Sequence, residues 1–324
     1  MAWQNELKYD PMPKLLSSGN AALIYWTRRD LLGEGSTHPE SIWDSAEVSR
    51  MARRQREDGS WPYGSQHAKV RSQLNYDQVE TYRVLGLLVE KYALNTGHPL
   101  IGKAAEFLFQ FQTTNGDFRG IYGNQYTPNY SAGIMELLIK AGYGGDPRIA
   151  RGFRWLLGIR QDDGGWAIPF RTVFPRNTLS DSLAAVKTIE PDRSKPFSHC
   201  ITGVVLRAFA AHPHFRKTPD AIHAGRLLTS RFFKSDRYPD RKSASFWTGF
   251  SFPFWFTDVV SALDSLSLIG IDRQDSQVEL AVNWLRNHQS RDGTWQMKML
   301  RGADKDLGLW FSLAVCRVFK RSYG

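Results

Sequence analysis

Apolar positions along the chain fall into runs with helical spacing, separated by short polar loops. Six of the runs carry apolar residues on more than one face: Ala21 to Leu32, Tyr76 to Tyr92, Tyr130 to Ala141, Ser198 to Ala211, Trp255 to Ile269 and Asp304 to Phe319. Helices of that kind are buried on two sides. The runs between them are more amphipathic, which places them on the outside of whatever the six form. Helix starts are signalled at Asp146-Pro147 and Thr218-Pro219, where a capping oxygen precedes a proline suited to the first helical position, and at Thr37 with Glu40, which have capping-box spacing.

A repeated ending is laid over this alternation. Four segments close alike, at residues 55–61 (Gln55 to Trp61), 112–118 (Gln112 to Phe118), 161–166 (Gln161 to Trp166) and 289–295 (Gln289 to Trp295), each passing through a glycine: Gly59, Gly116, Gly164 and Gly293. In three of them a further aromatic, Phe107, Trp155 or Trp284, stands eleven positions before the last. The final aromatics are 57, 48 and 129 residues apart, so a degraded copy is expected near 231–238, behind a helix from Thr218 to Phe233. Glycine after a helix accepts the left-handed conformation that ends it, and the trailing ring packs back over the loop. These segments therefore read as clamps between helical pairs. Because a helical hairpin cannot bury its apolar face alone, six inner and at least five outer helices predict a ring, and the repeat favours one domain over residues 1–324.

On these residues the chain resembles the terpenoid cyclase and protein prenyltransferase superfamily, with the QW-type repeats of squalene-hopene and oxidosqualene cyclases, over about residues 44–320. It is similar as well to small single-toroid cyclase-like proteins of microbes, through Ile24 to Leu32 and Gly249 to Asp258. The resemblance implies an all-α fold, an α/α toroid of about six helical hairpins in a single ring. It also implies a central cavity that handles an isoprenoid or other apolar chain, in some members by acid-initiated cyclisation.

Composition adds the material for such a cavity, with eleven Trp and nineteen Phe. Between Phe246 and Phe256 seven of eleven residues are aromatic, including Trp247, Phe254 and Trp255. Rings of this kind either stabilise a developing carbocation or pack under a loop, and the two readings weigh about equally. Tyr25, Trp26, Tyr76, Tyr130 and Trp310 fall near inner-helix positions and share that choice, with Asp77 and Asn129 as polar neighbours. Cyclases that begin by protonation carry a DxDD motif at an inner-helix start. The nearest match is Asp304-Lys305-Asp306-Leu307, which lacks the fourth Asp and carries a lysine that favours ionised carboxylates. Asp304 and Asp306 are candidate acids beside the alternative of a solvated helix cap, and Asp258 is a third.

Prenyltransferases hold zinc with Asp, Cys and His. Here His199 and Cys200 are adjacent, about 100° apart on a helix, and the Asp-x-Cys spacing is absent, so neither metal nor cofactor is expected. His212-Pro213-His214 reads as a helix-ending turn. His199, Asp77, Asn129 and Tyr130 also fit, weakly, a toroidal lyase for anionic polysaccharide, to which a net charge of +10 would draw substrate. A lipid- or peptide-binding toroid without catalysis is the other alternative. The basic residues are dispersed rather than clustered, which points away from specific nucleic-acid binding. The sequence does not fix the oligomeric state. Only two cysteines, no basic-then-apolar leader and no run of about 20 apolar residues predict a cytoplasmic protein with at most peripheral membrane contact.

Overall fold

Burial separates the helices into the two classes that the apolar pattern predicts. A computed structural model of the chain describes residues 2–324 except 35–37, 65–74, 175–181, 183–186 and 301–303, which leaves Thr37 and its capping box outside the described residues. The inner helices are α2 (Ala21–Thr27), α4 (Tyr76–Glu90), α6 (Pro128–Leu138), α9 (His199–Ala211), α11 (Val259–Ile269) and α13 (Leu307–Tyr323). The outer ones are α3 (Ala46–Ala52), α5 (Pro99–Phe109), α7 (Pro147–Gly158), α10 (Pro219–Thr229) and α12 (Ser276–Asn287), with the short α1 (Met12–Leu16) and α8 (Pro169–Val173) completing the set. No β-strand occurs among the described residues, only isolated bridges.

The inner helices make a closed circuit. The Trp26 indole N–H at the end of α2 donates to the Lys91 carbonyl at the end of α4 (2.8 Å). From there α4 packs on α6, α6 on α9, α9 on α11 and α11 on α13, and α13 returns to α2. Every residue of α9 except Ala211 is buried, as expected of a wall element with neighbours on all sides. Two inner starts differ from the sequence reading. Residues 255–257, the first of the apolar run that begins at Trp255, are not helical, so α11 begins at Val259 behind an Asp258–Ser261 capping box. Likewise α13 begins at Leu307, after a turn at Asp304 to Asp306.

The repeated endings tie neighbouring parts of the chain together. In each, the glutamine side-chain amide reaches past its own loop to a distant carbonyl: Gln55 to Leu100 (2.9 Å) and Gln112 to Arg148 (2.8 Å), both on the next outer helix, Gln161 to Asp192 and Lys195 (2.8 and 2.9 Å) in the loop before α9, and Gln289 to Tyr9 (2.8 Å) near the start of the chain. The indole N–H of Trp61, Trp166 and Trp295 donates back to the preceding outer helix, at Met51, Leu156 and Leu285 (2.8 Å each). The backbone N–H of the trailing aromatic donates to a hydroxyl on the next inner helix: Thr81, Ser131, Thr202 or Ser312, at 2.9 to 3.0 Å. These hydroxyls, lone polar groups within apolar runs, are the partners that the loop pattern leaves unnamed. Near 231–238 the glycine and tryptophan are missing, and the tie is made differently. Phe233 takes the left-handed turn (φ 58°), and the buried Asp236 carboxylate accepts from the Ser198 hydroxyl (2.8 Å) and the Cys200 N–H (2.9 Å) at the start of α9.

The last clamp holds the N-terminal segment in the sixth outer place. Gly293 there has φ of 83°, and a Cβ on it would stand 2.2 Å from the Asp10 carbonyl oxygen. A backbone oxygen cannot yield cheaply, and an L side chain is strained at that φ. Gly293→Ala is expected to cost roughly 1–3 kcal/mol, to speed amide exchange at Lys8 and Tyr9, and to leave exchange in α6 and α9 unchanged. Uniform protection across both regions would contradict this account of the clamp.

Candidate functional site

Within the circuit lies a space narrowed by residues 250–257, which cross it as a strap. Phe250 anchors the strap by exchanging backbone hydrogen bonds with Lys298 (3.0 Å) and Leu300 (2.7 Å). Phe252 stacks on Trp310 of α13, with ring centroids 5.4 Å apart and planes 10° apart. Trp255 lies against Tyr82 of α4 at 4.7 Å. On one side of that pair is a cavity of about 250 Å³ walled by Tyr82, Tyr122, Tyr130, Cys200, Trp255 and Phe256. On the other is a groove of about 110 Å³ lined by Tyr82, Gly86, Leu137, Phe252, Phe254 and Trp255.

Five rings and the aliphatic side chains of Ile168, Ile201 and Val204 make the cavity largely apolar, with a polar edge at Asn129, Asp240 and Arg241. Asp240 takes both arms of the Arg171 guanidinium (2.6 and 3.0 Å). Asn129 Oδ1 is buried and finds no partner among the described residues. The Cys200 thiol, which also lines the space, is pushed up to about 12 by burial and is a poor nucleophile.

Behind the wall runs a buried ion chain. Arg207 of α9 donates to Glu136 of α6 at 2.8 Å, both almost wholly buried. Lys140 bridges Glu136 (2.8 Å) to Glu90 of α4 (2.5 Å). Burial acts to raise the Glu136 carboxyl, but the Arg207 and Lys140 charges outweigh it and hold the group below the ordinary glutamate range. Arg207 also reaches the Phe256 carbonyl (3.4 Å), which connects the ion chain to the strap.

Asp258 follows the strap directly. It is 1% exposed, and its carboxylate accepts from the Ser261 N–H at 2.8 Å. Burial drives its pKa up to about 7, against the opposing pull of the helix-start N–H groups and Arg207. This environment favours the protonated carboxyl towards neutrality. Asp304 is held below the ordinary range, since the Lys91 ammonium 2.5 Å away outweighs its partial burial. Asp306 accepts from the Asn20 amide (2.8 Å). Both line a different cleft, of about 900 Å³, which meets the groove at Arg83, Leu87 and Phe252.

The other predicted residues are dispersed. Tyr130, Trp255 and Phe254 lie in the cavity or groove, and Trp310 backs the strap. Tyr25 and Trp26 belong to a charged cleft of about 720 Å³, where Trp26 sits between Arg29 and Arg317. Tyr76 packs on Tyr63 at 4.9 Å. Asp77 accepts from the Tyr63 N–H (2.9 Å) and pairs with Arg56 (2.5 Å). His199 stacks on the fully buried Trp247 at 4.7 Å, and burial presses its pKa down to about 4 despite Asp236 at 3.4 Å. His199 is therefore neutral at pH 7, and among the described residues no three His, Cys, Asp or Glu side chains converge as a metal cage. Tyr82, Tyr122, Glu136, Arg207 and Arg241 were not singled out from sequence. Tyr82 carries a sequence signal as an aromatic within an apolar helical run, and Glu136 and Arg207 as charges within runs otherwise read as buried.

The family model for the squalene-hopene cyclase C-terminal domain matches residues 138–307. The squalene-hopene cyclase of Bradyrhizobium diazoefficiens is 24% identical over 159 residues, 47% of this chain and 21% of that one. A probable squalene-hopene cyclase of Sinorhizobium fredii is 28% identical over 148 residues, 45% of this chain and 21% of that one. The chain thus spans about a fifth of the length of these curated relatives. Among solved structures, the type II terpene cyclase MstE from Scytonema aligns over 87% of this chain and 97% of its own, at 13% identity and a TM-score of 0.39. A protein from Actinoplanes aligns over 88% and 99%, at 16% identity and a TM-score of 0.32. Among the described residues no helix is long and apolar enough to cross a membrane. The family match runs through the cavity wall, the strap and Asp258 and takes in more than half of the residues, so the chain belongs to the squalene-hopene cyclase C-terminal domain family.

Proposed function

We propose that the protein is terpenoid cyclase-like and holds a compact isoprenoid or other apolar molecule in its ring-walled cavity. The observation that carries this reading is the convergence of Tyr82, Tyr122, Tyr130, Trp255 and Phe256, from four separate parts of the chain, on one space of about 250 Å³. Apolar contact with such faces drives binding, and the rings attract a carbon centre with positive character by roughly 0.5–2 kcal/mol each. The unpartnered Asn129 Oδ1 at the edge suits a hydroxyl, which can donate to it. The volume lies below the ~300 Å³ at which drug-sized pockets begin, so a short chain is favoured over a long one.

Displacement of a neutral naphthylamine fluorophore by geraniol and farnesol tests this. Saturable displacement is expected, weakened about tenfold by Tyr130→Ala, the ~1.4 kcal/mol of one lost ring contact. Absence of displaceable binding by any isoprenoid alcohol would remove the reading. A second reading, acid-initiated cyclisation, is favoured by Asp258, the buried carboxyl that retains its proton up to about pH 7. It predicts a product of unchanged mass and altered chromatographic retention.

A further inference from the structure

Two of the spaces inside the circuit touch at a single pair of side chains. Tyr82 and Trp255 line both the cavity of about 250 Å³ and the groove of about 110 Å³, and their rings press together at 4.7 Å with planes 39° apart. The two residues are held in different ways. Tyr82 is 4% exposed and sits mid-helix in α4, with its hydroxyl so close to Gly133 of α6 that a Cβ there would stand 2.3 Å from it. Trp255 is only partly buried and belongs to the non-helical strap, where its backbone N–H donates to the Ser251 hydroxyl (3.1 Å) and no helix ladder fixes it.

We infer that Trp255 is a partition that sets the length of the apolar chain the cavity accepts, closing it off from the groove beyond. This rests on the proposed ligand reading. Removing the indole joins the two spaces and adds the volume it vacates, which carries the total past the ~300 Å³ threshold of small-molecule pockets. The groove supplies apolar walls for the added length, from Leu137 and Phe254, so a longer chain gains buried carbon rather than water. Tyr82 does not serve as the partition, because its ring is wedged between two inner helices and is part of their contact.

The test compares native protein with Trp255→Ala and Trp255→Phe, using geraniol, farnesol and geranylgeraniol as competitors for the same neutral fluorophore. The native protein is expected to favour the shorter alcohols. Trp255→Ala should bind geranylgeraniol at least about tenfold more tightly than the native protein does, the ~1.4 kcal/mol of about two newly buried methylenes. Trp255→Phe, a milder change that keeps a ring in the strap, should move the ranking in the same direction by less. Circular dichroism and thermal melts establish that each variant is folded. An unchanged ranking in both folded variants overturns the partition while leaving the ligand reading intact. Binding by Trp255→Ala but not by the native protein keeps the partition and removes the native-ligand reading; binding by neither overturns both.

Discussion

Replacing Glu136 by Gln is expected to lower stability by about 3–5 kcal/mol, the cost of leaving one member of a buried ion pair without its partner. Arg207 is buried, its guanidinium cannot shed its proton, and among the described residues Glu136 is the carboxylate that it contacts at hydrogen-bond distance. Lys140 would keep Glu90 as its partner (2.5 Å), so the loss falls on Arg207. In a chain of this length the melting temperature should fall by roughly 6–15 °C. The double replacement Glu136→Gln with Arg207→Met removes the stranded charge and should recover a large part of the loss. A double variant no more stable than the single one would mean that the pair is not a coupled unit.

The second large effect concerns Asp258, and the sign of its pH dependence is unusual for a carboxyl. Its pKa is about 7 in the folded protein, against an ordinary value of 3.8. Between these values the folded chain holds a proton that the unfolded chain has lost. The group's contribution is therefore most favourable below about pH 4, declines as pH rises towards 7, and is level above that. At about 1.4 kcal/mol per pKa unit, the full decline approaches about 4 kcal/mol. Asn caps a helix start as well as Asp does, so Asp258→Asn keeps the capping geometry while removing the titration. The variant is expected to be more stable than the native protein above pH 7, by a few kcal/mol, and to lack the decline between pH 4 and 7. Denaturant melts at several pH values measure this directly. Parallel curves for the two proteins would show that Asp258 is ionised throughout.

The same substitution separates the two functional readings. If Asp258 supplies the initiating proton, its loss should reduce turnover by at least about 10²-fold with binding unchanged. Gain in stability with loss of activity would be the signature of a group kept at a structural cost for its chemistry. Gain in stability with unaltered ligand binding, and no turnover in either protein, would leave a binding role.

The parts legible in sequence are those written in local spacing. The Gln-to-Trp endings, the Asp146 and Thr218 caps and the body of each apolar run depend on residues a few positions apart, and these occupy their expected places although two of the runs begin later than read. The choice among aromatics was not legible. Tyr25, Trp26 and Tyr130 all sit on inner helices, yet only Tyr130 lines the cavity, because helix phase and the end of the helix decide where a ring points. Pairings across long separations were equally hidden: Lys91 with Asp304, 213 positions apart, turns a proton-donor candidate into an ionised group. The apolar run places the start of α11 at Trp255, a few residues too early, because the rings at the end of the strap continue the apolar pattern into the helix. The strong cap at Asp258 was the contrary signal.

Closure of the inner circuit changes how damage spreads. An open stack of hairpins has two terminal faces, which fray first and need polar capping units to stay soluble. Here α13 returns to α2, Trp26 ties α2 to α4, and Gln289 grips the backbone at Tyr9, so among the described residues each inner helix has an inner neighbour on either side. Unfolding has no natural edge at which to begin. A weakened joint anywhere is shared around the loop, and the molecule should melt as one cooperative whole rather than peel from an end.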